Sequence, residues 1–146
     1  MKIEPINILL VEDDDAHAEI VRRSFKESRV ANKLIHVSDG ELAVDYLYQR
    51  NAFIDPAASP RPGIILLDLR LPKVDGLEVL KIIKSDPDLS AIPTVILTTS
   101  SAESDMVKAY AFHANSYLVK PVDFIQFTKL LDVFGYYWLA CNQSQP

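Results

Sequence analysis

Four carboxylates follow one another at Glu12, Asp13, Asp14 and Asp15, directly after the aliphatic run Ile8, Leu9, Leu10 and Val11. Their mutual repulsion is costly without a cation, and oxygen-only ligands gathered at a loop suit a hard divalent ion, Mg2+ above all. A solvated acidic helix start, favoured by the helix dipole, accounts for the run equally well, and Asp14 and Asp15 are read in that way. Another acid, Asp68, closes the run Ile64, Ile65, Leu66 and Leu67. A carboxylate placed straight after large aliphatics is expensive to bury unless it has a charged or metal partner. The turn signal Asp75-Gly76 comes only later, so a capping role does not account for Asp68. Hydroxyls at Thr98, Thr99, Ser100 and Ser101 end a further apolar run, and Lys120-Pro121 ends another.

These groups together can perform one kind of chemistry. A carboxylate attacks phosphorus when a divalent ion neutralises the incoming oxygens and the reacting atoms are held in line. Asp68 is the candidate nucleophile, with Glu12 and Asp13 holding the ion. Lys120 would place a compact positive charge on a second phosphoryl oxygen, and Thr98 would donate a hydrogen bond to a third.

The elements that must position these residues follow from the apolar pattern. Short apolar runs at residues 6–11, 33–37, 64–67, 94–97 and 116–119 alternate with amphipathic stretches, as expected of parallel strands buried on both faces. Ile20, Val21, Ser24, Phe25 and Ser28 share one helical face opposite Arg22, Arg23, Lys26 and Glu27, with Asp15 as the candidate N-cap. Leu77, Leu80, Ile83 and Lys84 repeat the spacing, with Lys81 and Lys84 expected to face water, and Met106, Val107, Tyr110 and Ala111 repeat it after Ser104. This order predicts an α/β fold, a doubly wound five-stranded parallel sheet with helices on both faces. Functional groups in such a sheet gather at the C-terminal ends of the strands. Residues 50–63, with Asn51, Pro56, Ser59, Pro60, Pro62 and Gly63, read as a long surface loop.

Composition narrows the function classes. The chain has 146 residues, enough for one core, and a net charge of -5 that argues against a nucleic-acid surface over the whole domain. No apolar run approaches the roughly 20 residues of a spanning helix, and the N-terminus lacks the order of a signal peptide, so a cytoplasmic location is expected. Cys141 is the single cysteine and is read as a bystander.

On these residues the chain resembles the receiver domain of bacterial two-component response regulators. The motifs are ILLVEDD at 8–14, LLDLRLPKVDG at 66–76, VILTTS at 95–100 and YLVKP at 117–121, and the match covers about residues 6–131. The resemblance implies a flavodoxin-like receiver fold in which Glu12, Asp13 and Asp68 bind Mg2+ and Arg70 adds its backbone carbonyl. It also implies that Asp68 accepts a phosphoryl group from a histidine kinase. By the same resemblance Thr98 is the switch hydroxyl, Tyr117 the aromatic that rotates on activation, and Lys120 the phosphate contact before Pro121. Glu12 stands where Asp is common, and Thr99 where a small Ala or Gly is usual. The insertion at 50–63 and the stretch at 102–105 are similar to small regulators partnered with bacterial phytochromes.

The whole chain, 1–146, reads as a single receiver domain with an aromatic extension at about 132–146. The residues after Leu131 are too few for a DNA-binding output domain, so no direct nucleic-acid contact and no membrane contact are expected. Phe127, Phe134, Tyr137 and Trp138 add more apolar surface than one helix face against a sheet requires. They are read as a homodimer interface, with a long last helix folded over its own core as the alternative. The function expected is a stand-alone response regulator whose only chemistry is its own phosphorylation and dephosphorylation. An aspartyl-phosphate phosphatase commonly needs a second acid two residues beyond the nucleophile, where this chain has Arg70. A receiver-like binding module that is never phosphorylated usually lacks an acid or the amine, and here Glu12, Asp13, Asp68, Thr98 and Lys120 are all in place.

Overall fold

A computed structural model of the chain describes residues 5–27, 32–98, 111 and 116–119, with the backbone alone described at Thr98 and at 116–119. The elements are β1 (Ile6–Val11), α1 (Asp15–Lys26), β2 (Asn32–Val37), α2 (Gly40–Leu47), a 3-10 turn at Asn51–Phe53, β3 (Ile64–Leu67), α3 (Gly76–Ser85), β4 (Thr94–Thr98) and β5 (Ser116–Val119). All five strands run parallel in the order β2-β1-β3-β4-β5. That is the flavodoxin-like order, and the doubly wound sheet expected from the apolar runs is present.

Residues of the central strands alternate between two cores, which is why apolar residues stand on both faces of β1, β3 and β4. Leu9, Val11, Ile65, Leu67 and Ile96 point to one face, where Ala43, Val44, Tyr46 and Leu47 of α2 and Val79, Leu80 and Ile83 of α3 cover them. Ile8, Leu10, Ile64, Leu66, Val95 and Leu97 point to the other, where Ala18, Val21 and Phe25 of α1 pack. Helices therefore lie on both faces of the sheet.

Several local expectations are corrected. The N-cap of α1 is Asp14, whose Oδ1 accepts from Ala16 N at 2.9 Å and His17 N at 3.2 Å; Asp15 is instead the first helical residue, where its charge favours the dipole. Ile20 is 55% exposed, because the face that packs runs through Ala18, Val21, Ser24 and Phe25. Lys84 does not simply face water: it is half-buried, with Nζ over the carbonyls of Ser90 at 3.3 Å and Ile92 at 3.4 Å, and desolvation holds its pKa below the ordinary lysine value. Strand β2 begins one residue early at Asn32, and β4 extends through Thr98. Residues 50–63 form the surface connection expected, mostly exposed, with the 3-10 turn inside them and Ser59 and Pro62 buried. Ala111 is helical and exposed, while Met106, Val107 and Tyr110 lie outside the described residues.

Candidate metal and phosphoacceptor site

The chain leaves β1 toward β2 on one side, and returns to add β3 on the other. Such a reversal opens a crevice beyond the C-terminal ends of the two central strands. Val11 is paired with Leu67 in the register of β1 and β3, so the residues that follow them emerge side by side. Glu12 and Asp68 are those residues. The ladder continues into them: Asp68 N donates to Val11 O at 3.1 Å, and Glu12 N donates to Val37 O at 3.1 Å.

Glu12 is 1% exposed, Asp68 5%, and Asp13 beside them is open to solvent. One carboxylate oxygen from each lies within 4.8 Å of the others. Two unit charges about 5 Å apart repel by about 3 kcal/mol at an effective dielectric of 20, more than a single hydrogen bond returns. Three hard oxygen donors converging on one point, two of them buried, fit an oxygen-seeking divalent cation such as Mg2+ or Mn2+.

Two histidines hold the first acid. His36 on β2 directs Nε2 at the Glu12 carbonyl, 2.7 Å away, and His17 in the first turn of α1 directs Nδ1 at Glu12 Oε1, 3.1 Å away. His17 Nδ1 also lies 3.7 Å from Asp14 Oδ2.

The loop after Asp68 is set by close approach of backbone to backbone. Arg70 N donates to Asp68 Oδ1 at 3.1 Å, so the acid does bond its own loop, although it caps no helix. Leu69 is buried, and its carbonyl accepts from Gly76 N at 3.0 Å. Asp75 caps α3 through Gly76 N at 2.8 Å. A Cβ on Gly76 would stand 2.1 Å from Asp68 O and 2.5 Å from Leu69 Cα, and one on Gly40 would stand 1.9 Å from Val74 O. Only glycine lets the N-termini of α2 and α3 close on this loop from both sides. Lys73 takes the left-handed conformation at φ 67° and reaches toward Asp39 Oδ2 at 3.8 Å.

The structure thus brings Glu12, Asp13 and Asp68 together, with the backbone of Arg70 on the same loop and its side chain exposed. The backbone of Thr98 ends β4 opposite Val119, and that of Tyr117 pairs with Ile96. The side chains of Thr98 and Tyr117 lie outside the described residues, as do all of Lys120, Pro121, Phe127, Phe134, Tyr137, Trp138 and Cys141. His17, His36 and Gly40 are parts of this site that patterning alone does not single out, and Gly76 is marked only as a turn. The sequence signals for them are the Asp75-Gly76 turn and a histidine five residues past Glu12, inside the first helical turn.

Known proteins share the sequence and fold of this chain. Residues 8–132 match the family model for the response regulator receiver domain. The chain is 43% identical over 141 residues to the probable methanogenesis regulatory protein FilR2 of Methanothrix harundinacea, spanning 97% of this chain and 88% of that protein. It is similar in structure to the Mn2+-bound form of response regulator Rcp1, a Synechocystis protein, with 43% identity, a TM-score of 0.80, and coverage of 92% of this chain and 95% of that one. It is also similar to the phosphorylated cyanobacterial phytochrome response regulator RcpA, with 38% identity, a TM-score of 0.81, and coverage of 94% and 96%. Sheet order, the acids at the crevice between β1 and β3, and these likenesses place the chain in the response regulator receiver family of two-component systems.

Proposed function

We propose that this chain is a phosphorylation-dependent response regulator that takes a phosphoryl group onto Asp68 from a histidine kinase, with Mg2+ bound by Glu12, Asp13, Asp68 and the carbonyl of Arg70. The observation that carries the reading is the convergence of oxygens from Glu12, Asp13 and Asp68 within 4.8 Å at the crevice between β1 and β3. An Asp68 oxygen forms the bond to phosphorus as the bond to the kinase histidine nitrogen breaks, and the histidine departs neutral. When bound, the divalent ion neutralises the charge gathered on phosphoryl and carboxylate oxygens. The chain's part is orientation: the β1 and β3 ladders and the loop closed by Gly76 fix the acids before the donor arrives.

Thr98 and Lys120, at the ends of β4 and of the last strand, complete the site in this reading, Thr98 by a hydrogen bond and Lys120 by its charge. Tyr117 follows Thr98 inward as the switch, which shifts the population of two surface conformations. The chain has no turnover of another substrate. A phytochrome-type kinase as donor is supported by the likeness to RcpA, a phytochrome response regulator. No helix among the described residues is long and apolar enough to cross a membrane, which accords with a site of action in the cytoplasm. The domain spans the whole chain, 1–146, and Phe127, Phe134, Tyr137 and Trp138 form a homodimer contact; a monomer mass by light scattering at every dilution would remove that part.

Intact mass after incubation with acetyl phosphate and Mg2+ tests the main claim. A single phosphoryl adduct is expected, lost in Asp68→Asn and lost when metal is stripped. Undiminished adduct in Asp68→Asn, or none in the wild-type chain under conditions that trap short-lived acyl phosphates, would overturn it.

A further inference from the structure

On the same reading of the three acids as a divalent-metal site, we infer that His17 is a positioning residue that locks the Glu12 carboxylate in its metal-binding orientation. Glu12 is held by its backbone on two sides, through its N–H to Val37 O and through its carbonyl to the His36 ring. These contacts place the Cα and leave the side chain to be fixed. A glutamate has one more rotatable bond than an aspartate, and the carboxylate at its end sits among like charges from Asp13 and Asp68. Repulsion favours turning it away from the position in which a cation would find all three acids, and each hydrogen bond to the carboxylate opposes that turn.

His17 supplies one such hydrogen bond. Its backbone is fixed, because His17 N donates to the capping Asp14 Oδ1 at 3.2 Å. Its ring then reaches Glu12 Oε1 at 3.1 Å. A carboxylate that binds a metal is ionised and only accepts, so in this reading Nδ1 is the donor. A bond at one oxygen restricts rotation of the carboxylate, and so the directions its oxygens offer to a metal. Outer contacts of this kind fix ligand geometry in metal sites generally. The ring is 35% exposed, so its removal leaves the apolar core intact.

The test is calorimetric titration of the full chain with Mg2+ and, separately, Mn2+, for wild type, His17→Ala and His17→Asn, each checked for an unchanged metal-free unfolding transition. Asn presents an amide N–H where Nδ1–H stood. His17→Ala is expected to weaken both metals by about tenfold, and His17→Asn to stay within about twofold of wild type. Unchanged affinity in His17→Ala overturns the inference, as does an Asn variant that falls as far as Ala. A loss much larger for Mn2+ than for Mg2+ overturns it too, since it would make the imidazole a direct ligand. A wild-type chain that binds neither metal would instead remove the metal reading itself, so the two failures are distinct.

Discussion

Strand β3 is entered through residues 50–63 and left through residues 68–75, and the two loops satisfy their polar groups in different ways. The entering loop is tied by pairs that neutralise one another. Tyr46 donates its hydroxyl to Pro60 O at 2.7 Å, Gln49 Nε2 donates to Ser59 O at 3.0 Å, and Arg50 binds Asp45 at 2.8 Å, holding that carboxyl below its usual range. Beyond these ties it is open, with Ile54 73% exposed. The leaving loop is held by backbone closeness at Gly76 and Gly40, and it presents Asp68 to two other acids. One end of the strand is built for self-sufficiency. The other keeps three acids together in a rigid frame, an arrangement that fits a divalent cation.

The largest separation between the two loops is expected at Gly76. Gly76→Ala would force a Cβ to within 2.1 Å of the Asp68 carbonyl, where backbone must yield. A loss of about 3 kcal/mol is expected, read as a lower thermal midpoint, together with weaker Mg2+ binding because the Asp68 loop moves. Retained Mg2+ affinity would show that the loop's position does not govern the site.

Tyr46→Phe attacks the entering loop. Removing the hydroxyl frees the Pro60 carbonyl and is expected to cost about 1 kcal/mol with no change in Mg2+ affinity by calorimetry. A change in metal affinity would join the two loops that this comparison separates.

How much of this was legible in the sequence differs by region for physical reasons. β1 and β3 are apolar runs buried on both faces; β1, β3 and β5 stand at the residues their patterns mark, and the acids after β1 and β3 stand out against them. Helix α2 leaves no amphipathic stripe, because Gly40 and Ala43 through Leu47 are all buried and Asp45 within them is paired with Arg50. The α1 cap falls one residue before the expected acid because consecutive carboxylates look alike in sequence, and only backbone geometry selects Asp14. The roles of His17 and His36 depend on the register of β2 against β1 and on the turn into α1, neither of which spacing encodes.

A smaller effect is expected where α2 meets the turn after α3. Tyr48 donates to Asp86 Oδ2 at 2.9 Å, which holds the Asp86 carboxyl below its usual value. A depressed folded pKa adds stability above the unfolded value near 4 and loses it as pH falls through the folded value. Tyr48→Phe should therefore lower the midpoint slightly at pH 7, and its difference from wild type should narrow below about pH 4. A difference that widens in acid would contradict the pairing. Smallest of all, Ile54→Ser on the exposed part of the entering loop should stay within about 0.5 kcal/mol of wild type.

The most direct test of the frame at the crevice is the thermal midpoint of wild type and Asp68→Asn, each with and without Mg2+. Asn keeps an oxygen for the Arg70 N–H while removing one of the crowded charges. Wild type should gain roughly 8 °C at a Mg2+ concentration about 100 times its dissociation constant. Metal-free Asp68→Asn should melt above metal-free wild type and respond less to Mg2+. A wild-type midpoint indifferent to Mg2+, with Asp68→Asn melting lower, would contradict the account: Asp68 would then be a structural acid and not part of a charged site awaiting a cation.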